Sequence, residues 1–288
     1  MIVPTSLTEQ LLFTTIRIKV KTSSGQIGYG TGFFYNFENN GKKMLSVVTN
    51  KHVIKNSIEG EFHIHEAKKI NDKLQPSGFS AQVKLQNFED LWIQHDDNNV
   101  DLCAMPVAPL INTARKADTD LFIANFNKNL ILPDNELNEL NVVEDILMIG
   151  YPIGLSDEEN NLPLIRKGIT ATHPAINFNG FNHGAVDIAC FPGSSGSPIV
   201  LYNAGMYASK TGATRVGSRL NLIGILYAGP YWEEDIGIKI EKIPTQRRTS
   251  YKQHMIHLGY YIKAKELNNF GDFLTKVIKD GYFPNKDK

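Results

Sequence analysis

The stretch FPGSSGSPIV, residues 191–200, places two adjacent serines between two glycines and then leads into an apolar run. Such a loop is either a plain turn before a strand or a loop that aims one hydroxyl and several N–H groups at a reacting carbonyl. A glycine before the serine can adopt backbone angles that are closed to other residues. Ser195, bracketed by Gly193 and Gly196, is therefore a candidate nucleophile if a base and an orienting acceptor exist elsewhere.

Candidates for these two partners lie upstream of the loop. His52, in LSVVTNKHVI, stands where a β-rich run ends and a turn begins. Asp101, in NNVDLCAMPV, stands at the edge of an apolar run, where a carboxylate should have a partner. A serine hydroxyl is a weak nucleophile at neutral pH and needs a base within hydrogen-bond reach. The chain thus offers His52, Asp101 and Ser195, in that order, for nucleophilic catalysis.

Short β-rich runs separated by Gly, Asn, Asp or Pro dominate the rest of the chain. Six runs precede about residue 108, six more follow about residue 142, and a charged, Asn-rich stretch joins the two groups. This pattern predicts an all-β fold of two antiparallel six-stranded barrels. Regular alternation of strands and helices is missing, which argues against a doubly wound fold.

The expected organisation is a single domain over residues 1–288. It comprises a first barrel over about 10–110, a connector over about 111–142 and a second barrel over about 143–263. A C-terminal helix is predicted over about 264–280, because apolar residues from Leu267 to Ile278 recur at helical spacing. Residues 229–256 are long for a connection between two strands, and loops of that length are usually functional or disordered.

The composition is that of a globular protein with balanced charge. Of 288 residues, 42% are hydrophobic, and 30 basic residues face 30 acidic ones. No net field favours nucleic acid or an anionic membrane, and no run approaches the roughly 18 apolar residues of a membrane span. The N-terminal segment lacks the features of a signal peptide. Two cysteines, Cys103 and Cys190, are too few for a disulfide framework, so a reducing cytoplasm is expected.

The quoted segments together resemble the trypsin-like (chymotrypsin-fold) serine peptidases, especially the bacterial branch that includes the HtrA-type and glutamyl-endopeptidase-like enzymes. GYGTGFF resembles the family's small-residue strand, VVTNKHVI its histidine segment and DLCAMPV its aspartate strand. GYPIG and LIRKGITAT resemble its Gly-Tyr-Pro and Arg-x-Gly elements, PGSSGSPIV its nucleophile loop and LIGILYAG its substrate-binding strand. The likeness runs from about residue 11 to about residue 280, apart from the connector and residues 229–256, and implies barrels of chymotrypsin type.

The resemblance implies a serine endopeptidase that acts on protein or peptide substrates through an acyl-enzyme intermediate, without a cofactor. Ser195 would be the nucleophile, and His52 would take its proton and deliver it to the leaving amine. Asp101 would hold the imidazole in the correct tautomer. The N–H groups of Gly193 and Ser195 would form the oxyanion hole.

The resemblance also implies a substrate strand at Tyr227, Ala228 and Gly229, which would pair with an extended peptide as an added strand. The pocket for the residue before the scissile bond would be lined by Ala189, Gly229 and Gly259. None of these residues carries charge, and a buried cation needs a partner. The hypothesis is therefore a preference for an uncharged, apolar side chain.

The chain departs from the family at the residue before the nucleophile. Members activated by N-terminal trimming carry an acidic residue there, whereas this chain has Ser194. We therefore expect activity that is either constitutive or controlled by a regulatory protein partner. The expected role is that of a cytoplasmic bacterial protease with specific protein substrates. The alternative is a catalytically silent or partner-gated binding module on the same fold.

Two other site types are disfavoured. An α/β-hydrolase elbow, G-x-S-x-G, would need glycine where Ser197 stands, and its order of Ser, Asp and His is reversed here. His63 and His65 alternate along one predicted strand and could share a zinc ion, but no third ligand is obvious nearby. We expect an exposed strand face there and no metal.

Overall fold

The computed structural model describes residues 1–39, 41–233, 237–242, 253–255 and 257–279 of the chain. Strands are the predominant regular structure of these residues. In chain order they are β1 (Thr15–Thr22), β2 (Ile27–Asn39), β3 (Lys42–Thr49), β4 (Ser57–Ile70), β5 (Lys73–Gln86), β6 (Ile93–Gln94), β7 (Cys103–Pro106), β8 (Asp120–Leu121), β9 (Phe126–Asn127), β10 (Asp145–Gly150), β11 (Leu164–Thr170), β12 (His183–Asp187), β13 (Pro198–Asn203), β14 (Met206–Ala208), β15 (Thr214–Val216), β16 (Arg219–Glu233), β17 (Gly237–Lys242), β18 (Gln253–Met255) and β19 (Leu258–Lys263).

The helices are short, except for one near the C-terminus. They are α1 (Leu7–Leu11), α2 (Lys51–Ile54), α3 (Ala108–Lys116), α4 (Asp134–Leu137) and α5 (Glu266–Lys279), with single 3₁₀ turns at Phe88–Leu91, Lys128–Leu130 and Pro152–Gly154. Across the described residues, none of these helices has the length and apolar character needed to cross a membrane.

The first sheet has the strand order β5-β4-β1-β2-β3-β7-β6. Two further short strands join it, with β8 antiparallel to β4 and β9 parallel to β2. Every second residue of β1 from Ile16 to Val20 is buried, and these side chains pack with Phe34, Val47 and Phe62 inside the sheet. The six strand-forming runs predicted for the first half of the chain are all present, and the two-residue strands β6, β8 and β9 come in addition.

The second sheet closes on itself. Its order is β13-β10-β11-β12-β19-β16, and β16 pairs back to β13, which completes a ring of six antiparallel strands. Strands β17 and β18 extend the sheet beyond this ring, along the far end of β16. The predicted all-β class, with antiparallel barrels of chymotrypsin type, is confirmed.

One hydrophobic cluster joins the two sheets and α5. Phe33 and Val48 of the first sheet pack in the same cluster as Ile149 and Val200 of the second. The apolar stripe of α5 completes it with three side chains that are fully buried: Leu267, Phe270 and Leu274. Burying one such side chain contributes about 1.5–3 kcal/mol, so the predicted C-terminal helix, which is confirmed, is an integral part of the core.

The expectation of an exposed histidine face on β4 was wrong for His65. Its side chain is only 5% exposed and packs edge-on against Phe13, with 4.8 Å between ring centroids. Its Nε2 also makes a 3.1 Å hydrogen bond with the Asn161 carbonyl, and beside it the connector strand β8 pairs with β4 at Glu66, where Phe122 N–H donates to the His65 carbonyl. A β-bulge between His65 and Ala67 interrupts the simple alternation at this point.

Candidate active site

The structure brings together the three residues that the sequence placed far apart. His52 Nδ1 lies 2.6 Å from Asp101 Oδ2, and His52 Nε2 lies 2.9 Å from Ser195 Oγ. The backbone N–H of His52 donates to the other carboxylate oxygen, Asp101 Oδ1, at 3.2 Å. The distances from His52 to Ser195 and from His52 to Asp101 are both those of hydrogen bonds, and Ser195 Oγ is within reach of a general base.

Strand pairing in the first sheet sets the distance between His52 and Asp101. Strand β3 ends at Thr49, three residues before His52, and Thr49 pairs with Cys103 at the start of β7. Asn50 adds a cross-link, since its Nδ2 donates to the Asp101 carbonyl at 2.8 Å. The imidazole and the carboxylate therefore project from the ends of two hydrogen-bonded neighbouring strands.

Asp101 is an ionised carboxylate in a nearly buried position, with 3% of its surface exposed. Burial by itself raises its pKa, but the hydrogen bonds and charge of His52 and the charge of Lys242 outweigh this effect. The net result is a pKa below the usual value for aspartate. At neutral pH the carboxylate can therefore accept a hydrogen bond from His52 Nδ1–H and hold the ring in one tautomer.

The nucleophile loop depends on two glycines with left-handed backbone angles. Gly193 has φ of 87° and Gly196 has φ of 85°. A Cβ at Gly196 would lie 2.0 Å from the Thr31 carbonyl oxygen, so no side chain fits there. Ser195 lies between them in a tight turn in which Ser197 N–H donates to the Ser194 carbonyl, and it is fully buried.

The carbonyls on either side of the Gly193 N–H are held by other parts of the chain. Pro192 O accepts a hydrogen bond from Ile153 N–H, and Gly193 O accepts one from Thr31 Oγ1 at 3.0 Å. In a trans peptide the N–H points opposite to the carbonyl, so Gly193 N–H is directed away from Ile153. Ile153 itself has left-handed angles, with φ of 55° and ψ of 23°.

Thr31 supports this loop from the first sheet. Besides the bond to Gly193 O, its N–H donates to Ser195 O at 2.9 Å, and its carbonyl accepts from Thr49 Oγ1 at 2.7 Å. Its hydroxyl also accepts from Tyr151 N–H at 3.1 Å. This supporting residue was missed in the sequence, although the run of small residues GYGTGFF around it was a signal.

A profile of the trypsin-like peptidase domain matches residues 30–206. The chain belongs to this family. Its enzyme class is accordingly serine endopeptidase. The matched range contains Thr31, His52, Asp101 and Ser195 but ends before β16, so the implied substrate strand lies outside it. No curated protein matches the chain.

Three solved structures of peptidase-related proteins are similar over most of the chain. A catalytically inactive tobacco etch virus protease complexed with substrate has 14% identity and a TM-score of 0.46, covering 94% of this chain and 86% of that one. A scabies mite inactivated protease paralogue has 12% identity and a TM-score of 0.45, with coverages of 94% and 96%. A thermostable serine protease from an extremophilic microorganism has 11% identity and a TM-score of 0.44, with coverages of 92% and 99%.

The implied substrate strand of this trypsin-like peptidase lies in β16, and both of its edges are paired. Ala228 faces Tyr260 of β19 on one edge and Lys242 of β17 on the other. Gly229 pairs with Glu241 of β17. The Tyr227 hydroxyl makes a 3.0 Å hydrogen bond with His183 Nδ1.

Of the residues implied for the specificity pocket, Gly259 packs against Cys190. A Cβ at Gly259 would lie 2.6 Å from Cys190 Sγ, which places Gly259 against the residue that follows Ala189. Gly259 directly precedes Tyr260, the partner of Ala228 in β19. Ala189 and Gly259 are thus brought together, and Gly229 lies one residue beyond Ala228 in β16.

Arg166 is a charged residue beside this pocket that the sequence analysis did not assign to the site. Its guanidinium donates from Nη1 to the Ala189 carbonyl and from Nη2 to Ser194 Oγ at 3.1 Å. Burial lowers its pKa to about 10, which still leaves it charged at neutral pH. The Arg-x-Gly element in LIRKGITAT was the available signal for Arg166. Its hydrogen-bond partners, which lie 23 and 28 residues away, could not be recognised from the sequence.

A second missed residue is Lys242, whose Nζ lies 3.3 Å from Asp101 Oδ1. It is the last residue of β17, in the stretch 229–256, which lies outside the matched range. Its side chain is 55% exposed and that of Asp101 is 4% exposed. As to metals, no three His, Cys, Asp or Glu side chains of the described residues are grouped so that they could hold an ion.

Proposed function

We propose that this trypsin-like peptidase hydrolyses peptide bonds through Ser195, His52 and Asp101. The continuous series of hydrogen bonds from Ser195 Oγ to His52 Nε2, and from His52 Nδ1 to Asp101 Oδ2, carries the proposal. A neutral imidazole with Nδ1–H donated to a carboxylate leaves its Nε2 lone pair for the serine proton. This arrangement makes a serine hydroxyl reactive at neutral pH.

The reaction proceeds in two steps, acylation of Ser195 and hydrolysis of the acyl-enzyme. Ser195 Oγ attacks the substrate carbonyl carbon while its proton passes to His52 Nε2, and the carbonyl oxygen becomes an oxyanion that the Gly193 and Ser195 N–H groups stabilise. The imidazolium then protonates the amine, the C–N bond breaks and an ester to Ser195 remains. Water then attacks the ester carbonyl carbon while His52 Nε2 takes its proton. The bond from this carbon to Ser195 Oγ breaks, the carboxylic acid leaves, and the imidazolium returns the proton to Ser195 Oγ. Asp101 stays ionised throughout and stabilises the imidazolium.

The pocket formed by Ala189, Gly229 and Gly259 accepts an uncharged side chain before the scissile bond. The Arg166 guanidinium, bonded to the Ala189 carbonyl, supports the exclusion of lysine and arginine, because a second cation there would be repelled. An apolar side chain, in contrast, needs no charged partner in this lining.

The enzyme is further proposed to be a cytoplasmic protease of the bacterial HtrA-type and glutamyl-endopeptidase-like branch, acting on specific protein substrates and regulated by a protein partner. The Gly-Tyr-Pro and Arg-x-Gly elements support the branch. Cys103 and Cys190 are buried and unpaired, which supports a reducing compartment. Ser194, in the place of the acid used for activation by trimming, supports control by another route.

Labelling with a fluorophosphonate probe tests the proposal, because this small electrophile reacts only with an activated serine. Saturating probe should label the unchanged chain, and mass spectrometry should locate the adduct on Ser195. Ser195→Ala and His52→Ala should abolish labelling, whereas the control Ser24→Ala, in an exposed turn, should not. The absence of any adduct on folded protein, including the variants with a displaced β17 described below, would refute it.

A further inference from the structure

The nucleophile loop lies along one particular edge of β16. Leu226 N–H donates to the Ser197 carbonyl at 3.0 Å, and Leu226 O accepts from Gly196 N–H at 2.8 Å. The opposite edge of the same residue pairs with Tyr261 of β19. A strand has only two edges, so the loop edge is the one that does not carry β19.

Strand β17 continues along this same loop edge. Ala228 pairs with Tyr260 on the β19 edge, so its second partner, Lys242, must lie on the loop edge. The register proceeds from Pro230 opposite Ile240, through Gly229 opposite Glu241, to Ala228 opposite Lys242. Because the pairing is antiparallel, β17 runs with its C-terminal end toward Leu226 and the nucleophile loop.

This path is the one that the acyl half of a substrate would take. In strand addition, main-chain hydrogen bonds to an open edge hold an extended peptide. The residues before the scissile bond must end at the carbonyl that Ser195 attacks, so they must approach the loop with their C-terminal end. Strand β17 has the edge, the extended form and the direction of such a peptide, and it pairs with Ala228 and Gly229 of the implied substrate strand.

The side chain of Lys242 adds a contact to the catalytic group itself. Its Nζ lies 3.3 Å from Asp101 Oδ1, the oxygen that also accepts the His52 N–H. Ser195 is fully buried in this state, although a nucleophile must reach a substrate carbonyl. Strand pairing and one ion pair therefore hold the segment directly beside the proposed catalytic residues.

We infer that residues 237–242 are an internal ligand of the substrate site, which keeps the peptidase in a self-occluded state until a substrate or a partner displaces them. The inference rests on the proposed function and extends it to the regulation of the same site. A tethered segment competes at an effective concentration that reaches about millimolar for short tethers. External peptides would consequently bind weakly, with a raised KM and an unchanged kcat.

Displacing β17 tests this inference. Ile240→Pro removes the backbone donor of a residue in the pairing and disfavours a strand. Lys242→Glu instead turns the attraction to Asp101 into repulsion. The matched control is Arg215→Pro, which breaks the separate two-stranded sheet of β14 and β15. Thermal melts identify which of the variants fold.

Both β17 variants should lower the KM for a peptide substrate by about tenfold or more. They should also speed fluorophosphonate labelling, while Arg215→Pro changes neither. If a folded β17 variant has the KM and labelling rate of the unchanged chain, the inference is wrong.

A binding measurement separates this inference from the proposed function. In a Ser195→Ala background, the synthetic peptide GIKIEK, with blocked ends, should bind the Ile240→Pro or Lys242→Glu protein and not the parent. That result would support occupancy of the substrate site by residues 237–242, even if no variant were labelled or active. Equal binding, or equal absence of binding, to the parent and to both folded variants would overturn the inference while leaving the catalytic proposal in place.

Discussion

Thr31 Oγ1 donates a 3.0 Å hydrogen bond to the Gly193 carbonyl, and this bond joins the first barrel to the loop that carries Ser195. The same hydroxyl accepts from Tyr151 N–H, so its one proton is committed to Gly193. The position of the proposed oxyanion donor thus depends on a residue of the first sheet.

Replacing Thr31 by valine should impair turnover more than substrate binding. The change keeps the shape but leaves Gly193 O and Tyr151 N–H buried without their partner, at a cost of about 1–3 kcal/mol per group. Because one of the two hydrogen bonds that hold the carbonyls on either side of Gly193 N–H would be lost, kcat should fall by up to about 10²–10³-fold, the effect of losing one oxyanion donor. Urea unfolding and steady-state kinetics measure the two effects. Thr31→Ser, which keeps the hydroxyl, should retain most activity, and an unchanged kcat in Thr31→Val would contradict the argument.

Asp101→Asn should preserve the fold and abolish most of the activity. The amide can donate to His52 Nδ1 and so favours the tautomer whose Nε2 carries the proton and cannot accept one from Ser195. In triads of this kind such a change lowers kcat by about 10⁴-fold. Turnover of a peptide substrate, with a melt as the folding control, measures the effect. A loss of less than about tenfold would show that Asp101 does not orient the base.

His65 should make the protein less stable in mild acid. Burial lowers its pKa from 6.5 to about 4, so the unfolded chain binds more protons between these values. Its contribution to the free energy of unfolding is complete above about pH 6.5 and is lost as the pH falls toward 4. This contribution amounts to about 3 kcal/mol at most.

His65→Gln serves as the comparison, since its amide can still donate to the Asn161 carbonyl that accepts from His65 Nε2. Urea unfolding at pH 7 and pH 4.5 gives the change in the free energy of unfolding with pH for each protein, and this change should be larger for the unchanged chain than for His65→Gln. His95 and His183, whose pKa values burial also lowers, remain in both proteins and cancel. Equal pH dependence in the two proteins would mean that His65 titrates normally.

A peptide library should be cut after uncharged, apolar residues. The neutral lining of Ala189, Gly229 and Gly259 gives no partner to a substrate cation, and Arg166 beside Ala189 repels one. Mass spectrometry of the products gives the profile, and a Ser195→Ala preparation identifies cleavage by contaminants. A profile dominated by lysine, arginine or glutamate would refute the expected pocket.

The grouping of His52, Asp101 and Ser195 could be predicted because each residue stands in a local context that the sequence displays. His52 follows a β-rich run, Asp101 precedes one and Ser195 lies between glycines, so strand ends and turns were visible without tertiary information. The supporting bonds were not visible, since Thr31 and Gly193 are 162 residues apart and meet only because the barrels pack together.

The role of the stretch 229–256 shows a different limit. GIKIEK alternates apolar and charged residues, which is a strand signal that the sequence analysis did not use. Even with that signal, the sequence could not have shown on which edge of β16 the strand pairs, because main-chain hydrogen bonding does not depend on side-chain identity. The buried state of His65 could not be predicted either, since its ring contacts Phe13 and the Asn161 carbonyl, which are distant in the sequence.

The left-handed backbone of Ile153 has a consequence for laboratory evolution. A β-branched residue in this conformation costs about 1–3 kcal/mol, yet its N–H holds the Pro192 carbonyl beside the proposed oxyanion donor. The side chain is 48% exposed, so glycine or asparagine could replace it without harm to the core. A screen for heat resistance alone should therefore recover glycine or asparagine at position 153, and because both keep the N–H that bonds to Pro192 O, these variants should retain their catalytic rate.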